Sequence, residues 1–118
     1  MKKTIYSILL IITTAFLLSG CDKDGPGSIE LTNLSNTILP IILYEVVEDG
    51  DDIRVDGGFS LLHDQVHTWE KLAAGTKMYL QTAYAANSGR TNFKSDVFTI
   101  KSNRVVHIEA RATRFRIL

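Results

Sequence analysis

A single cysteine, Cys21, stands in 118 residues, so no disulfide can close within the chain and no cysteine-rich metal site can be built. Any core is therefore held by packing alone. Proline occurs twice and tryptophan once, while thirteen Lys and Arg balance thirteen Asp and Glu. That neutral balance lacks the basic footprint of a nucleic-acid binder. Glycine-rich phosphate loops, dinucleotide fingerprints and paired catalytic carboxylates are missing as well. The chain suits one small domain and is too short for two.

Hydrophobic residues run continuously only near the start. Lys2 and Lys3 give a positive opening, an apolar run follows from Ile5 to Leu18, and small residues close the segment, which is the order of a secretory signal. The run is too short to span a bilayer comfortably. At its end Leu18-Ser19-Gly20-Cys21 resembles the lipobox of bacterial lipoproteins at all four positions. The resemblance implies a diacylglycerol on the Cys21 thiol, cleavage after Gly20 and an acyl chain (commonly palmitate) on the new amine. Leu18, Ser19 and Gly20 would then be the recognition residues: a small pair lets extended backbone enter a membrane-embedded protease, and leucine fills an apolar pocket. Several acyl chains anchor far more firmly than one. The alternative is an uncleaved membrane helix with an incidental cysteine.

Asp22, directly after the lipidated position, resembles the signal that retains enteric lipoproteins in the inner membrane, with the outer membrane as the alternative. Asp22 to Ser28 is polar and broken by Gly and Pro, which reads as a tether. The expected organisation is a signal at 1–20, a lipidated N-terminus and tether at 21–28, and a domain at 29–118.

From Ile29 onward, short runs rich in Val, Ile, Thr, Tyr and Phe alternate with turn residues. This predicts an all-β fold, a small antiparallel sandwich of about seven strands at 28–34, 38–48, 51–56, 64–72, 76–86, 94–101 and 104–112. Pro40 cannot donate to a ladder, so its run should start at an edge or bend there. Asp49-Gly50 and Ser102-Asn103 both read as hairpin turns, and the second would set His107 opposite Phe98. In 76–85, Met78, Leu80, Thr82 and Tyr84 share the face expected to be buried. Trp69 to Leu80, with Leu72-Ala73-Ala74-Gly75-Thr76 at its centre, resembles the strand-turn-strand of prealbumin-like and carboxypeptidase-regulatory-like sandwiches, and an immunoglobulin-like arrangement is also open. A short helix over 60–73 is the competing reading, because Leu62, Val66, Trp69 and Ala73 recur at helical spacing between Ser60 and Gly75.

Three groups carry residue types used in chemistry. His63 and His67 would share a face of a helix as two metal ligands do, but no third ligand follows from spacing. Ser60, His63 and Asp64 have the types of a triad, yet sequence neighbours rarely converge as a triad does. Asp49, Asp51, Asp52 and Asp56 with three glycines form a loop that could hold calcium, although the full twelve-residue pattern is missing. The expectation is no catalysis, no metal and no cofactor beyond the lipid on Cys21.

Charge is divided unevenly: residues 22–70 carry Lys23 and Arg54 against eleven acids, and residues 71–118 carry nine basic residues against Asp96 and Glu109. Either interleaved strands neutralise the halves locally, or Arg104, Arg111, Arg114 and Arg116 form a basic contact surface for headgroups or an acidic partner. Arg114 and Arg116 would share one strand face. The function expected is that of a membrane-anchored, periplasm-facing module that binds another envelope protein. An inhibitor, immunity or exclusion lipoprotein is the alternative, with the polar stretch 87–92 as the inserting loop.

Overall fold

The computed structural model describes residues 25–118. The secretory segment, the Leu18-Ser19-Gly20-Cys21 motif and Asp22 lie outside the described residues. Among the described residues the chain is all β, with eight strands in two four-stranded sheets. The strands are β1 (Gly27–Asn33), β2 (Leu39–Glu45), β3 (Ile53–Leu61), β4 (Val66–Leu72), β5 (Lys77–Thr82), β6 (Phe98–Thr99), β7 (Val105–Ala110) and β8 (Phe115–Ile117). One sheet has the order β4-β1-β7-β8 and the other β3-β2-β5-β6. The pairs are antiparallel apart from β1 and β7, which run parallel in direct register from Ser28↔Val105 to Asn33↔Ala110.

Alternation builds the core. Ile29 and Leu31 of β1, Leu39, Ile41 and Leu43 of β2, Met78 and Leu80 of β5, and Ile108 and Ala110 of β7 all point inward and are buried. Each large apolar side chain removed from water in this way contributes about 1.5–3 kcal/mol. Thr82 joins them and Tyr84 packs against the cluster, so the face expected for 76–85 is the inner one.

The helix over 60–73 does not form. Leu62 and Val66, half of its apolar stripe, are exposed, and Asp64 has φ 62, which a continuing right-handed helix excludes. Residues 62–65 are instead the turn between β3 and β4, closed by Gln65 N donating to Leu62 O at 3.0 Å. His63 and His67 consequently lie on a turn and a strand and share no helical face.

Turn reading from local sequence has mixed results. Asp49-Gly50 does sit in a hairpin, but pairing resumes only at Glu45↔Ile53, so the connection is a longer loop than a two-residue turn. Ser102-Asn103 does not make a hairpin. It carries the chain from β6 in one sheet to β7 in the other, and His107 faces Glu30 of β1 instead of Phe98. Pro40 is on an interior strand, near the start of β2, with β3 and β5 on either side. Strand 94–101 shrinks to Phe98–Thr99, and Gly27 and Ser28 belong to β1, where a Cβ on Gly27 would come within 2.4 Å of the Lys101 carbonyl oxygen.

All four sheet edges are short or irregular. β6 and β8 have two and three residues, β3 breaks register twice, once at Gly58 with φ 80, and β4 carries Lys71 at φ 60. Such edges resist adding a further strand.

Candidate functional site

The parallel β1–β7 pair gives the sandwich two distinct ends. Gly25 and Gly27 start at what is called here the root end, beside the turns at 73–76 and 100–104. The far end holds turns 34–38, 62–65 and 111–114 and the loop 83–92. The seven residues of β1 span about 20 Å between them.

Asn33, fully buried at the end of β1, organises the far end. Its Nδ2 donates to the carbonyls of Leu61 (2.8 Å) and Thr37 (2.9 Å), and its Oδ1 accepts from Ser35 N (2.9 Å) and Ser35 Oγ (2.6 Å). One amide thus uses its full donor and acceptor capacity to tie β1, the crossover to β2 and the end of β3 together. His63 extends this tie, with Nδ1 on the Ser35 carbonyl and Nε2 3.1 Å from Asp64 Oδ2. Ser60 of β3, in register with Pro40 of β2, is placed by the ladder and not by this pair.

The loop after β5 is likewise cinched by an amide. Asn92 Oδ1 accepts from Tyr84 N at 2.6 Å and from Thr82 Oγ1 at 3.2 Å, and the Arg90 guanidinium lies 5.4 Å from the Tyr84 ring centre. Phe93 then meets Phe115 of β8 at 5.1 Å, which closes that side of the sandwich.

The arginines expected to cluster separate into two groups. Arg104 begins the root end of β7, whereas Arg111 and Arg114 close the β7–β8 turn at the far end, joined by Arg111 N to Arg114 O at 2.8 Å. Arg116 is opposite Glu109 in register, and Arg111 also reaches Glu109 at 3.0 Å. Arg111, Arg114 and Arg116 therefore form one surface with Glu109 among them, and Arg104 is not part of it. Glu109 pairs with Arg111 inside the basic half, and across the two halves Glu30 meets the His107 ring at 2.8 Å, both contacts on the outer face.

The acidic loop does not converge. Asp52 accepts from Val47 N through Oδ1 (3.2 Å) and from the Tyr79 hydroxyl through Oδ2 (2.8 Å). Asp56 turns the other way and accepts from Trp69 Nε1 at 2.7 Å. Among the described residues, no group of three or more His, Cys, Asp or Glu gathers as metal ligands. Desolvation, and then the bond and charge of Asp52, push the Tyr79 phenol up to about 12.

One constellation has no simple sequence signal. Phe59 and Asp56 of β3 meet His67 and Trp69 of β4 across the gap between the sheets, with ring centres 4.4 Å (Phe59–His67) and 4.5 Å (His67–Trp69) apart. The i, i+2 spacing of His67 and Trp69 signals a shared strand face, but the β3 partners depend on sheet assignment. The geometry makes this a structural seam: the Trp69 N–H is satisfied and its ring is buried.

No protein-family model matches the sequence, and no curated protein matches it. Solved structures do. Listeriolysin O is similar with a TM-score of 0.51 and 10% identity, over 80% of this chain and 22% of that one. A disulfide-locked mutant of intermedilysin with human CD59 is similar with a TM-score of 0.53 and 10% identity, over 80% of this chain and 24% of that one. The chain thus spans about a quarter of the length of these structures or less, and at this identity the likeness is one of fold.

Proposed function

We propose that the chain is a lipid-anchored, periplasm-facing β-sandwich that recruits an acidic envelope protein through Arg111, Arg114 and Arg116, in an accessory or assembly role. The carrying observation is the placement of those arginines at the end opposite the one where the chain enters the sandwich. The lipobox resemblance supplies the anchor on Cys21, held at the inner membrane by Asp22. With the root end at the bilayer, the far end is the part that a partner reaches. Opposite charges there steer encounter and orient the partner.

The test is a photo-crosslinking residue at Thr113, between the far-end arginines, introduced in the native host. An acidic envelope protein is expected in the crosslink, and Arg111→Glu with Arg114→Glu should abolish it without releasing the protein from the membrane. A crosslink that survives charge reversal overturns the role of these arginines. Cys21→Ala, run in parallel, should leave an uncleaved precursor.

A second reading, an inhibitor that inserts the 87–92 loop into an enzyme cleft, is favoured by the bonds of Asn92 and the contact of the Arg90 guanidinium with the Tyr84 ring. A preformed loop loses little conformational freedom on binding. A photo-crosslinker at Ser88 that captures a hydrolase or toxin, with none captured from Thr113, replaces the first reading by this one.

A further inference from the structure

The two sheets part at the root end on the β6–β8 side. β8 pairs with β7 from Ile108 to Ala110, Leu118 N donates to His107 O at 2.9 Å, and β6 is two residues long, so the described strands pair with Val105 through β1. The result is a cleft of about 340 Å³ whose apolar lining includes Phe98, Val105, Val106 and Ile117, with Lys101 and Arg104 among its polar residues. Val105 is 47% exposed. Arg104 and Val105 are shared with a neighbouring hollow of about 310 Å³ beside Pro26 and Gly27, where Glu70 and Lys71 stand together on β4.

We infer that this root-end corner is a membrane-contact surface: Val105 enters the interface of the bilayer, and Lys101 and Arg104 bind the phosphates of anionic phospholipids. The inference rests on the lipid-anchor reading for its geometry, because Cys21 is six residues before Gly27 and an extended chain of that length reaches only about 20 Å. An anchor that short keeps the root end against the bilayer. An exposed apolar corner flanked by basic side chains is the chemistry that an anionic bilayer surface receives, since the apolar groups meet the acyl boundary while the charges meet phosphate.

The acidic loop sharpens the orientation. Glu48, Asp49, Asp51 and Asp52 are also at the root end, between β2 and β3, while the cleft is beside β6. At a strand spacing of about 4.8 Å, two to three strands separate them by roughly 10–15 Å, beyond a Debye length of about 8 Å. Anionic headgroups repel that loop and attract the cleft, so the sandwich leans on its β6–β8 corner.

The experiment uses the acylated full-length product, in which Cys21 is blocked, so that a new cysteine can be labelled selectively. A polarity-sensitive fluorophore is placed at Val105→Cys or, at the far end, at Ser88→Cys, in vesicles of phosphatidylethanolamine and phosphatidylglycerol. The emission at 105 is expected to shift to the blue and to be quenched by lipid-borne quenchers, while that at 88 does neither. Lys101→Glu with Arg104→Glu should bring the signal at 105 down to that at 88 while the protein stays anchored. Equal signals at 105 and 88 in the parent, or no effect of charge reversal, overturn the contact surface and leave the anchor reading intact. If mass spectrometry finds Cys21 without lipid, the anchor reading falls. The same vesicles are then added to the unanchored chain. Sedimentation weaker by at least about 25-fold after both charge reversals supports the surface, at about fivefold for each cation near an anionic bilayer. No sedimentation of the parent overturns it.

Discussion

Backbone bonds close turns at both ends of the sandwich, and the ends differ in how much side-chain amides add to that closure. At the far end side-chain amides close the loops: Asn33 makes four bonds, Asn92 holds the loop after β5, and Gln65 Oε1 accepts from Leu62 N at 3.0 Å. At the root end the backbone closes on itself, with Ser28 N to Arg104 O (3.0 Å), Gly75 N to Ile100 O (2.8 Å), Ile100 N to Thr76 O (2.8 Å) and Val46 N to Lys77 O (2.8 Å). Main-chain bonds of this kind place few demands on the side chains of Lys101, Arg104 and Val105. Side-chain bonds fix a loop's shape through single residues, which concentrates both the rigidity and the vulnerability of the far end in those residues.

That contrast breaks most severely at Asn33. Asn33→Ala removes the partner of two carbonyls and of Ser35, all buried or partly so, and is expected to cost about 4 kcal/mol. Urea unfolding should show it, and hydrogen exchange should quicken at 34–37 and 61–65 before the root end responds. A loss equal at both ends would mean that the far end is not a separately fastened unit.

Gly27→Val probes the root end. The new Cβ would meet the Lys101 carbonyl oxygen at 2.4 Å and Ile100 Cγ2 at 2.7 Å, so backbone must move, at a cost of about 3 kcal/mol. Exchange at Ser28 N should rise while the Asn33 bonds persist. The same backbone closure that tolerates changes of side chain along 101–105 should tolerate none at this glycine.

The smallest effect concerns Tyr79, whose hydroxyl joins β5 to Asp52 of the root-end acidic loop. Tyr79→Phe should cost about 1 kcal/mol at neutral pH, a modest figure because the bond is exposed to solvent. The phenol is raised from 10.0 to about 12 in the folded protein, so its contribution is complete below pH 10 and is lost as pH rises through about 12. Parent and variant should therefore converge in stability across that interval. Phenylalanine keeps the ring's packing on Tyr44, 5.2 Å away, so a gap that persisted at pH 12 would show that ionisation of the phenol does not govern the contribution of the hydroxyl.

Much of the fold was legible locally. Period-two alternation in Met78 to Thr82 predicted both the strand and its inner face, and Ile29 to Asn33 follows the same pattern, whereas in β2 the consecutive Ile41, Ile42 and Leu43 are all buried. The helical spacing of Leu62, Val66, Trp69 and Ala73 misled because periodicity counts apolar residues whether or not a core is near them, and Leu62 and Val66 face solvent. The candidate surface was half legible: Arg111, Arg114 and Arg116 are neighbours in sequence and in space, but the distance of Arg104 from them follows from the direction of β7.

The sequence by itself determined the all-β class, the buried alternating faces, the turn-prone loops and the lipobox resemblance, because each depends on the chemistry of a few consecutive residues. Tertiary structure alone decided the parallel pairing of β1 with β7, the crossing of Ser102-Asn103 between sheets, the meeting of Asp56 with Trp69, and the division into root and far ends. Those features depend on which strands become neighbours across long stretches of chain. That choice is made by the burial of every inner face at once, and no local window of sequence contains it.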